Sequence, residues 1–557
     1  MILIASPSKP FQFNAKATLR RGVILKEYDE EIEAIYKAVE SSAQSDIAPP
    51  AAWDETSTLD FVRAIVKGTL SRSLSDNADI FRNGGDSLQA TWIRNTVLRA
   101  IRETDQDAAK RLPMNLVFQS PTIAGLSRTI LGVLNSAHHR EAAHAPEDLW
   151  KYVERYSANF PPRPSCLVER APCKDVVLIT GTTGGFGCDT LEHLLRDSNV
   201  ARVYAFNRKG TQALNRQRAQ FIARGLDVSL LDSPRFVMVE AALHEPDFGI
   251  DHVLREEIRT TVTHIMHNAW KVDFNMAIPS FEPDIQGARN LVDLALGSPF
   301  ATPPPVIFIS SVGVFRKCTI PAPIPEIPLD DPASPFSTGY SEAKWVVERV
   351  LQHATQRTGL HTVVVRLGQV AGDRIGHWNE REWFPSLVKS ALFQKCLPKH
   401  DGAPWFPAYE AAKAFTEMRH SPEPIVHLVH PRPVSWRSLL EPIAKEVNVP
   451  LVPYTQWVSA LESSVEQGSA QEVEAMRLNP ALRLLSFFKA QSTAMAPERE
   501  AMGLAFISTG KAVQVSESLA RMPQLDGERA QMWVAAWRKS GFLSSGPTGV
   551  VSMPGVV

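Results

Sequence analysis

The stretch that most limits what this chain can fold into is DVVLITGTTGGFGCDTLEHLL, residues 175–195. Val176, Val177, Leu178 and Ile179 make a short apolar run, rich in β-branched residues, that ends at Thr180 and Gly181. Such a run reads as a buried strand of a parallel sheet. Glycines fall at 181, 184 and 187, and Leu191, Leu194 and Leu195 then recur at helical spacing. Strand, glycine turn and helix N-terminus in that order make a site for a pyrophosphate. The missing Cβ atoms let the backbone approach the phosphates, and the free N–H groups of the first helical turn point at them. A glycine pattern alone is a weak signal, but this one has the flanks that the mechanism requires. Thr180, Gly181, Gly184, Phe186 and Gly187 are its candidate cofactor contacts.

Downstream, strands and helices alternate, the pattern of an α/β fold with a doubly wound parallel sheet. Residues 203–206 read as the second strand and run into Asn207, Arg208 and Lys209. An acidic residue at that strand end would hold the ribose 2′-hydroxyl of NAD, whereas Arg208 and Lys209 suit the 2′-phosphate of NADP. A solvated basic loop is the plainer alternative. Residues 236–239 and 264–266 read as further strands, the latter leading into His267, Asn268, Ala269 and Trp270. Strand ends of such sheets face the cofactor, and Asn268 is taken as a contact. Residues 306–309 form a strand that opens into Ser310 and Ser311, and Tyr340 follows 29 positions after Ser311 (340 minus 311) in the run Tyr340-Ser341-Glu342-Ala343-Lys344. Residues i and i+4 share a helix face. A Lys344 ammonium there would depress the Tyr340 pKa and hold the nicotinamide ribose, so that Tyr340 acts as general acid near neutral pH. Ser311, on the facing strand end, would hydrogen-bond the carbonyl being reduced.

Upstream, residues 57–135 read as a compact helical unit inside a domain expected over 51–135. Phe61, Ile65, Val66 and Leu70 form one helical face, and Leu88, Trp92, Val97 and Ile101 a second. A short element over 112–118 and a helix over 122–134 complete four. The run Asn83-Gly84-Gly85-Asp86-Ser87-Leu88 sets Ser87 at a helix N-terminus behind two glycines, where its hydroxyl is expected to be exposed. A serine there could equally be a plain helix cap. Residues 43–56 and 136–172 read as linkers. His138, His139 and His144 have no carboxylate or cysteine at ligand spacing, so no metal is expected. The first residues put Lys16 in an extended basic segment ahead of an amphipathic helix with Ile32, Ile35, Tyr36 and Val39 on one face.

Composition enters as exclusion. Lys+Arg 59 against Asp+Glu 60 leaves a net charge of -1, so no global field draws nucleic acid or an anionic membrane. No apolar run reaches the ~18 residues of a spanning helix. Five cysteines without a CxxC pair argue against a disulfide framework or a zinc site. A cytoplasmic enzyme is the expectation.

Several motifs carry a family resemblance: HNAW at 267–270 with Val272 and Phe274, the Gly287-x-x-Asn290-Leu291 helix, FISSVGV, YSEAKW, VVVRLGQVAGD, VHLVHPRPVSW at 426–436 and PYTQWVSAL at 453–461. Through them residues 174 to about 440 resemble an extended short-chain dehydrogenase/reductase with a Rossmann sheet. More narrowly they resemble the thioester reductase domain that ends carboxylic acid reductases and reductive nonribosomal peptide synthetases. The helical unit, with GGDSL and PTIAGL, is similar to acyl and peptidyl carrier domains. That likeness implies 4′-phosphopantetheine on Ser87, attached by a phosphopantetheinyl transferase. The opening segment resembles the end of adenylate-forming enzymes, with Lys16 at the place of the lysine that closes over an acyl-adenylate.

The whole layout resembles fungal adenylate-forming reductases of secondary metabolism, with most of the adenylation domain missing. It implies an adenylation remnant over 1–50, a carrier domain over 51–135, a linker over 136–172 and a reductase over 173–557, whose smaller C-terminal substrate lobe is expected largely over 372–540. The implied reaction is NADPH-dependent release of a carrier-bound acyl thioester as an aldehyde, or as an alcohol after a second hydride transfer. Ser311, Tyr340 and Lys344 would be catalytic, and an upstream adenylation domain or a separate synthase would supply the acyl group. Two departures stand out. Ser311 occupies a position often held by threonine, and Trp405-Phe406-Pro407-Ala408-Tyr409-Glu410 replaces W-I-P-V-D-x, losing an aspartate near the substrate. The aromatic loop 378–384 could line a pocket or pack a core. A ketone reductase or nucleotide-sugar epimerase of the same fold and a non-redox cyclising domain remain as alternatives, which NADPH oxidation with an acyl thioester separates.

Overall fold

A computed structural model of the chain describes residues 9, 28, 31, 47–113, 115–134, 145–170, 174–210, 212–274, 276–336, 338–399, 407–464, 478–492 and 506–543. Lys16, His138, His139, His144, Trp405 and Phe406 lie outside the described residues. The chain forms two compact units, one within Met1–Ala143 and one within His144–Glu466 and Glu472–Val557.

In the first unit, α1 (Glu55–Leu70) starts at Asp54, whose carboxylate accepts from the Ser57 N–H at 2.8 Å, and buries Phe61, Val62, Ile65 and Val66. Helix α2 (Ser87–Thr104) turns Ile93, Val97, Leu98 and Ile101 inward. The expected short third element is two pieces, α3 (Gln106–Arg111) and α4 (Leu116–Gln119). Helix α5 (Ile123–Leu134) then packs back on α1. The turn before α2 needs its glycines: Gly84 has φ +83, and a Cβ on Gly85 would lie 2.8 Å from the Ile80 carbonyl oxygen. Asp86, not Ser87, caps α2. Its carboxylate accepts from the Gln89 N–H at 2.8 Å, and the Gln89 side chain accepts from the Asp86 N–H at 3.0 Å, a reciprocal capping box. Ser87 is therefore the first helical residue and is released from the capping role; its side chain is outside those described.

The second unit is built on a seven-stranded sheet. Its strands are β1 (Asp175–Thr180), β2 (Val200–Arg208), β3 (Phe236–Ala241), β4 (His264–His267), β5 (Val306–Ser311), β6 (Thr362–Leu367) and, after the short β7 (Leu397–Lys399), β8 (Ile425–Leu428). The order is β3-β2-β1-β4-β5-β6-β8, and every pairing is parallel. Runs such as Val177–Ile179 and Val363–Val365 are buried on both faces, as a sheet covered by helices on each side requires. The chain leaves β1 in one direction to β2 and later returns to its other side as β4. The crevice at the carboxyl ends of β1 and β4 is therefore the topological switch point, where open α/β sheets bind ligands.

Part of the stretch expected as substrate lobe rejoins this sheet. The helix Ala408–Glu417 carries Ala411, Ala414 and Phe415 into the core, followed by Met418 just past its end, with Phe415 against Phe186 at 5.7 Å, and β8 pairs with β6. What remains is a separate layer. A two-stranded parallel sheet of β7 and β9 (Leu451–Pro453) is accompanied by helices Trp383–Gln394, Trp436–Val447, Tyr454–Ser463 and Leu485–Ser492. The aromatic loop is core. Trp378 and Phe384 are buried, Trp378 lies 5.0 Å from both Phe384 and Trp533, and Trp383 stacks on Trp436 at 5.8 Å. Among the described residues no helix is long and apolar enough to cross a membrane.

Candidate active site

The glycine turn between β1 and the following helix, α6 here (Gly185–Arg196), is held by close packing. Gly181 has φ +76, and a Cβ on it would sit 2.8 Å from the Ala269 Cα. A Cβ on Gly187 would fall 2.1 Å from the Gly181 carbonyl oxygen. Gly184 caps the helix and is exposed, leaving the first-turn N–H groups at the crevice. That exposed first helical turn fits a cofactor pyrophosphate.

The turn's other candidates act on the turn itself. Thr180 is fully buried. Its Oγ1 accepts from the Asn268 and Ala269 N–H groups at 3.0 and 2.8 Å and lies 2.9 Å from His267 Nδ1. A hydroxyl with both lone pairs engaged gives its proton to that nitrogen, so the His267 proton sits on Nε2, and burial keeps the ring neutral with a pKa of about 3. The Asn268 side chain donates to the Thr180 and Gly181 carbonyls, 3.3 Å each. The Phe186 ring packs 5.7 Å from Phe415. A brace that the sequence left unread is Asn207, which accepts from the Thr183 N–H at 3.1 Å and donates to Thr182 Oγ1 at 2.7 Å. Beyond it Arg208 and Lys209 are exposed at the end of β2, and Lys209 Nζ donates to the Gly249 carbonyl at 3.3 Å.

Across the crevice, Ser310 and Ser311 point to opposite faces of β5, as alternation dictates. Ser310 is buried and donates to Glu348, which is paired with Arg366 at 2.8 Å. Ser311 Oγ accepts from the Gly313 N–H at 3.0 Å and is the hydroxyl that lowers the pKa of the Tyr340 phenol. Tyr340 is in the first turn of α7 (Gly339–Thr358), whose Gly339 presses on the backbone of residues 276–278: a Cβ there would lie 2.3 Å from the Ile278 nitrogen. This sets Tyr340 among aromatic rings, 5.1 Å from Phe274 and 6.2 Å from Phe281. Burial pushes its phenol up to about 12, opposed by the Ser311 hydroxyl.

Lys344 lies one turn further on and is 1% exposed. Its Nζ donates to the Ile309 carbonyl at 2.6 Å and stands 4.0 Å over the Trp270 ring and 4.6 Å over Phe308. Burial holds its pKa well below the usual lysine value, with Asp284 and Glu348 opposing. The expected depression of Tyr340 by Lys344 is thus not what the geometry gives. The ammonium is 5.8 Å from the Tyr340 ring centroid and turned to β5, and Ser311 is the group that lowers the phenol. Asp284, in the first turn of helix Glu282–Leu296, is a carboxylate the sequence did not single out. Burial raises its pKa, and Lys344, Lys271 and Arg208 pull it down. Its only sequence signal was an acid in a helix's first turn, which the helix dipole explains equally well. The altered segment at 407–410 lies elsewhere: Tyr409 packs under Arg374, 4.7 Å from its ring, and accepts from His193 through its carbonyl at 3.0 Å.

A Rossmann-type sheet with a glycine turn at its switch point, faced by a serine, a tyrosine and a lysine from β5 and α7, is the arrangement found in extended short-chain NAD(P)-dependent oxidoreductases. Residues 179–407 match the NAD-binding family described as male sterility protein. Residues 1–40 match the C-terminal domain of AMP-binding enzymes. Over 97% of its length the chain is 39% identical to an adenylate-forming reductase of Heterobasidion annosum, of which it covers 51%. It is 28% identical over 96% of its length to a carboxylic acid reductase of Neurospora crassa, again covering 51%. The chain is a homologue of these fungal reductases and spans about half the length of the curated relatives it matches. Among solved structures it is similar to the terminal R domain of the myxalamid pathway, with TM-score 0.59, 24% identity, 72% of this chain and 99% of that one. It is also similar to a thiolation-reductase di-domain from an archaeal nonribosomal peptide synthetase, with TM-score 0.57, 15% identity, 90% of this chain and 100% of that one. At these identities the likeness is one of fold.

Proposed function

We propose that the chain reduces an acyl thioester, carried on 4′-phosphopantetheine at Ser87, to an aldehyde with NADPH, releasing the acyl group from its carrier. The observation that carries this reading is the Ser311–Tyr340 hydroxyl pair beside the glycine cradle, with a helical unit presenting GGDSL in the same chain. NADPH supplies hydride to the thioester carbon. Ser311 and Tyr340 hydrogen-bond the carbonyl oxygen, and Tyr340, protonated throughout the neutral range because burial holds its pKa high, gives that oxygen its proton. The resulting hemithioacetal breaks its C–S bond, yielding aldehyde and free thiol. Lys344 holds the end of β5 through the Ile309 carbonyl and so positions Ser311, two residues on. Arg208, with Lys209 beside it, gives the 2′-phosphate a cationic partner. An upstream adenylation domain or a separate synthase supplies the acyl group.

Treatment with a phosphopantetheinyl transferase and coenzyme A should raise the intact mass by one arm, and Ser87→Ala should abolish the gain. Acyl-loaded protein given NADPH should release aldehyde, and Ser87→Ala should still reduce a free pantetheine thioester. Absence of NADPH oxidation with every thioester would overturn the reading.

A further inference from the structure

Arg316 directly follows the short helical turn Val312–Phe315 that Ser311 caps. Its Nε and Nη1 are shut off from solvent and have no hydrogen-bond partner among the described residues. Its guanidinium carbon lies 5.8 Å from the ring of Phe487; Phe487 stacks on Phe274 at 5.4 Å, and Phe274 meets Tyr340 edge-on at 5.1 Å. A wall of rings therefore leads from the Tyr340 phenol to a cation that the fold leaves unsatisfied. The desolvation of that cation is visible in its pKa, lowered to about 10 and opposed by Tyr454, so it stays charged at neutral pH. A guanidinium with two nitrogens sealed and unpaired is costly, and an apolar side chain of the same volume would serve packing better. The planar fork matches a carboxylate in bidentate geometry.

We propose that Arg316 receives a carboxylate borne by the acyl chain of the substrate, reading the distal end of that chain while Ser311 and Tyr340 hold the thioester. The inference rests on the thioester-reductase reading. The other anion a carrier-bound substrate brings, the phosphate of the arm, is separated from the thioester by the whole pantetheine, whereas two rings separate Arg316 from Tyr340. Arg316 is thus a specificity determinant for acids with a second acidic group.

The test uses the full chain with pantetheine thioesters of one acyl chain ending either in a carboxylate or in its methyl ester, and with the carboxylate thioester on phosphopantetheine. Wild type should favour the carboxylate, and Arg316→Met should lower the carboxylate-to-ester ratio of kcat/KM by roughly 10- to 100-fold, the size of one desolvated charge-assisted pair. The loss should appear in KM, Arg316→Lys should recover part of it, and the Met variant should melt no lower than wild type. A wild type indifferent to the carboxylate, an equal loss on both thioesters, or a loss confined to the phosphopantetheine form would overturn the proposal. Failure of wild type to reduce any thioester would instead remove the reading beneath it.

Discussion

Gly184 and Gly187 occupy equivalent places in a glycine motif, yet alanine should be tolerated by the fold at one and not at the other. At 187 the new Cβ would lie 2.1 Å from the Gly181 carbonyl oxygen, where an ordinary C···O approach is about 3.3 Å. Either α6 or the turn must move by about 1 Å. The Gly181 carbonyl accepts from the Gly184 N–H and from Asn268 Nδ2, both at 3.3 Å, so displacing it weakens two hydrogen bonds worth ~1 kcal/mol each. With the strain of overpacking, about 3 kcal/mol is lost, enough to lower the melting temperature of the reductase unit by several degrees. A turn misplaced by ~1 Å should also weaken NADPH on the order of 100-fold. At 184 the Cβ would meet the same oxygen at 3.5 Å, an ordinary contact, and φ is -82, open to any residue. Gly184→Ala should therefore melt within about 1 °C of wild type. Scanning calorimetry and NADPH titration read both variants. A Gly187→Ala protein that melts and binds NADPH as wild type does, or a Gly184→Ala protein as unstable as Gly187→Ala, would refute the packing argument.

Tyr340→Phe keeps the ring among Phe274 and Phe281 and removes the proton donor; NADPH should bind unchanged while turnover falls by roughly 10²–10⁴, measured by NADPH oxidation. Arg208→Ala should weaken NADPH by roughly tenfold or more and leave NADH almost untouched, and a wild type that uses both equally would remove the argument from the basic strand end. Burial raises Glu382 from an ordinary 4.5 to about 7, so the folded protein keeps a proton there that the unfolded chain releases, and stability falls as pH rises through that window. Glu382→Gln should therefore gain up to ~3 kcal/mol at pH 8 and little near pH 4.5, read by urea unfolding at the two pH values.

The sheet was largely legible because its signals are local. Each strand of the first five is a short apolar run ending at turn residues, and only the ends differ: residues 203–206 grow into Val200–Arg208 because flanking residues also find ladder partners on β1 and β3. Strands β7 and β9 were not legible, since three residues carry no period. Nor was the return of Ala408–Leu428 to the main sheet, which depends on Phe415 meeting Phe186 far upstream. At α2 the cap candidate in the sequence is Ser87, and Asp86 takes that role because the Gln89 side chain bonds back to the Asp86 N–H.

The site divides along the same line. Spacing tells which side chains share a strand end or a helix face, and the structure does bring Ser311, Tyr340 and Lys344 to one crevice. Spacing does not tell what charge each one sees. That is set by groups remote in the chain: Phe274 and Phe281 dry the Tyr340 phenol, Asp284 and Glu348 support the Lys344 charge, and Trp270 and Phe308 hold its ammonium toward the Ile309 carbonyl. The same logic hid Arg316. In the sequence it is one more basic residue after a strand, and only the ring of Phe487, 171 positions later (487 minus 316), and the lack of a partner for its Nε and Nη1 among the described residues turn it into a feature.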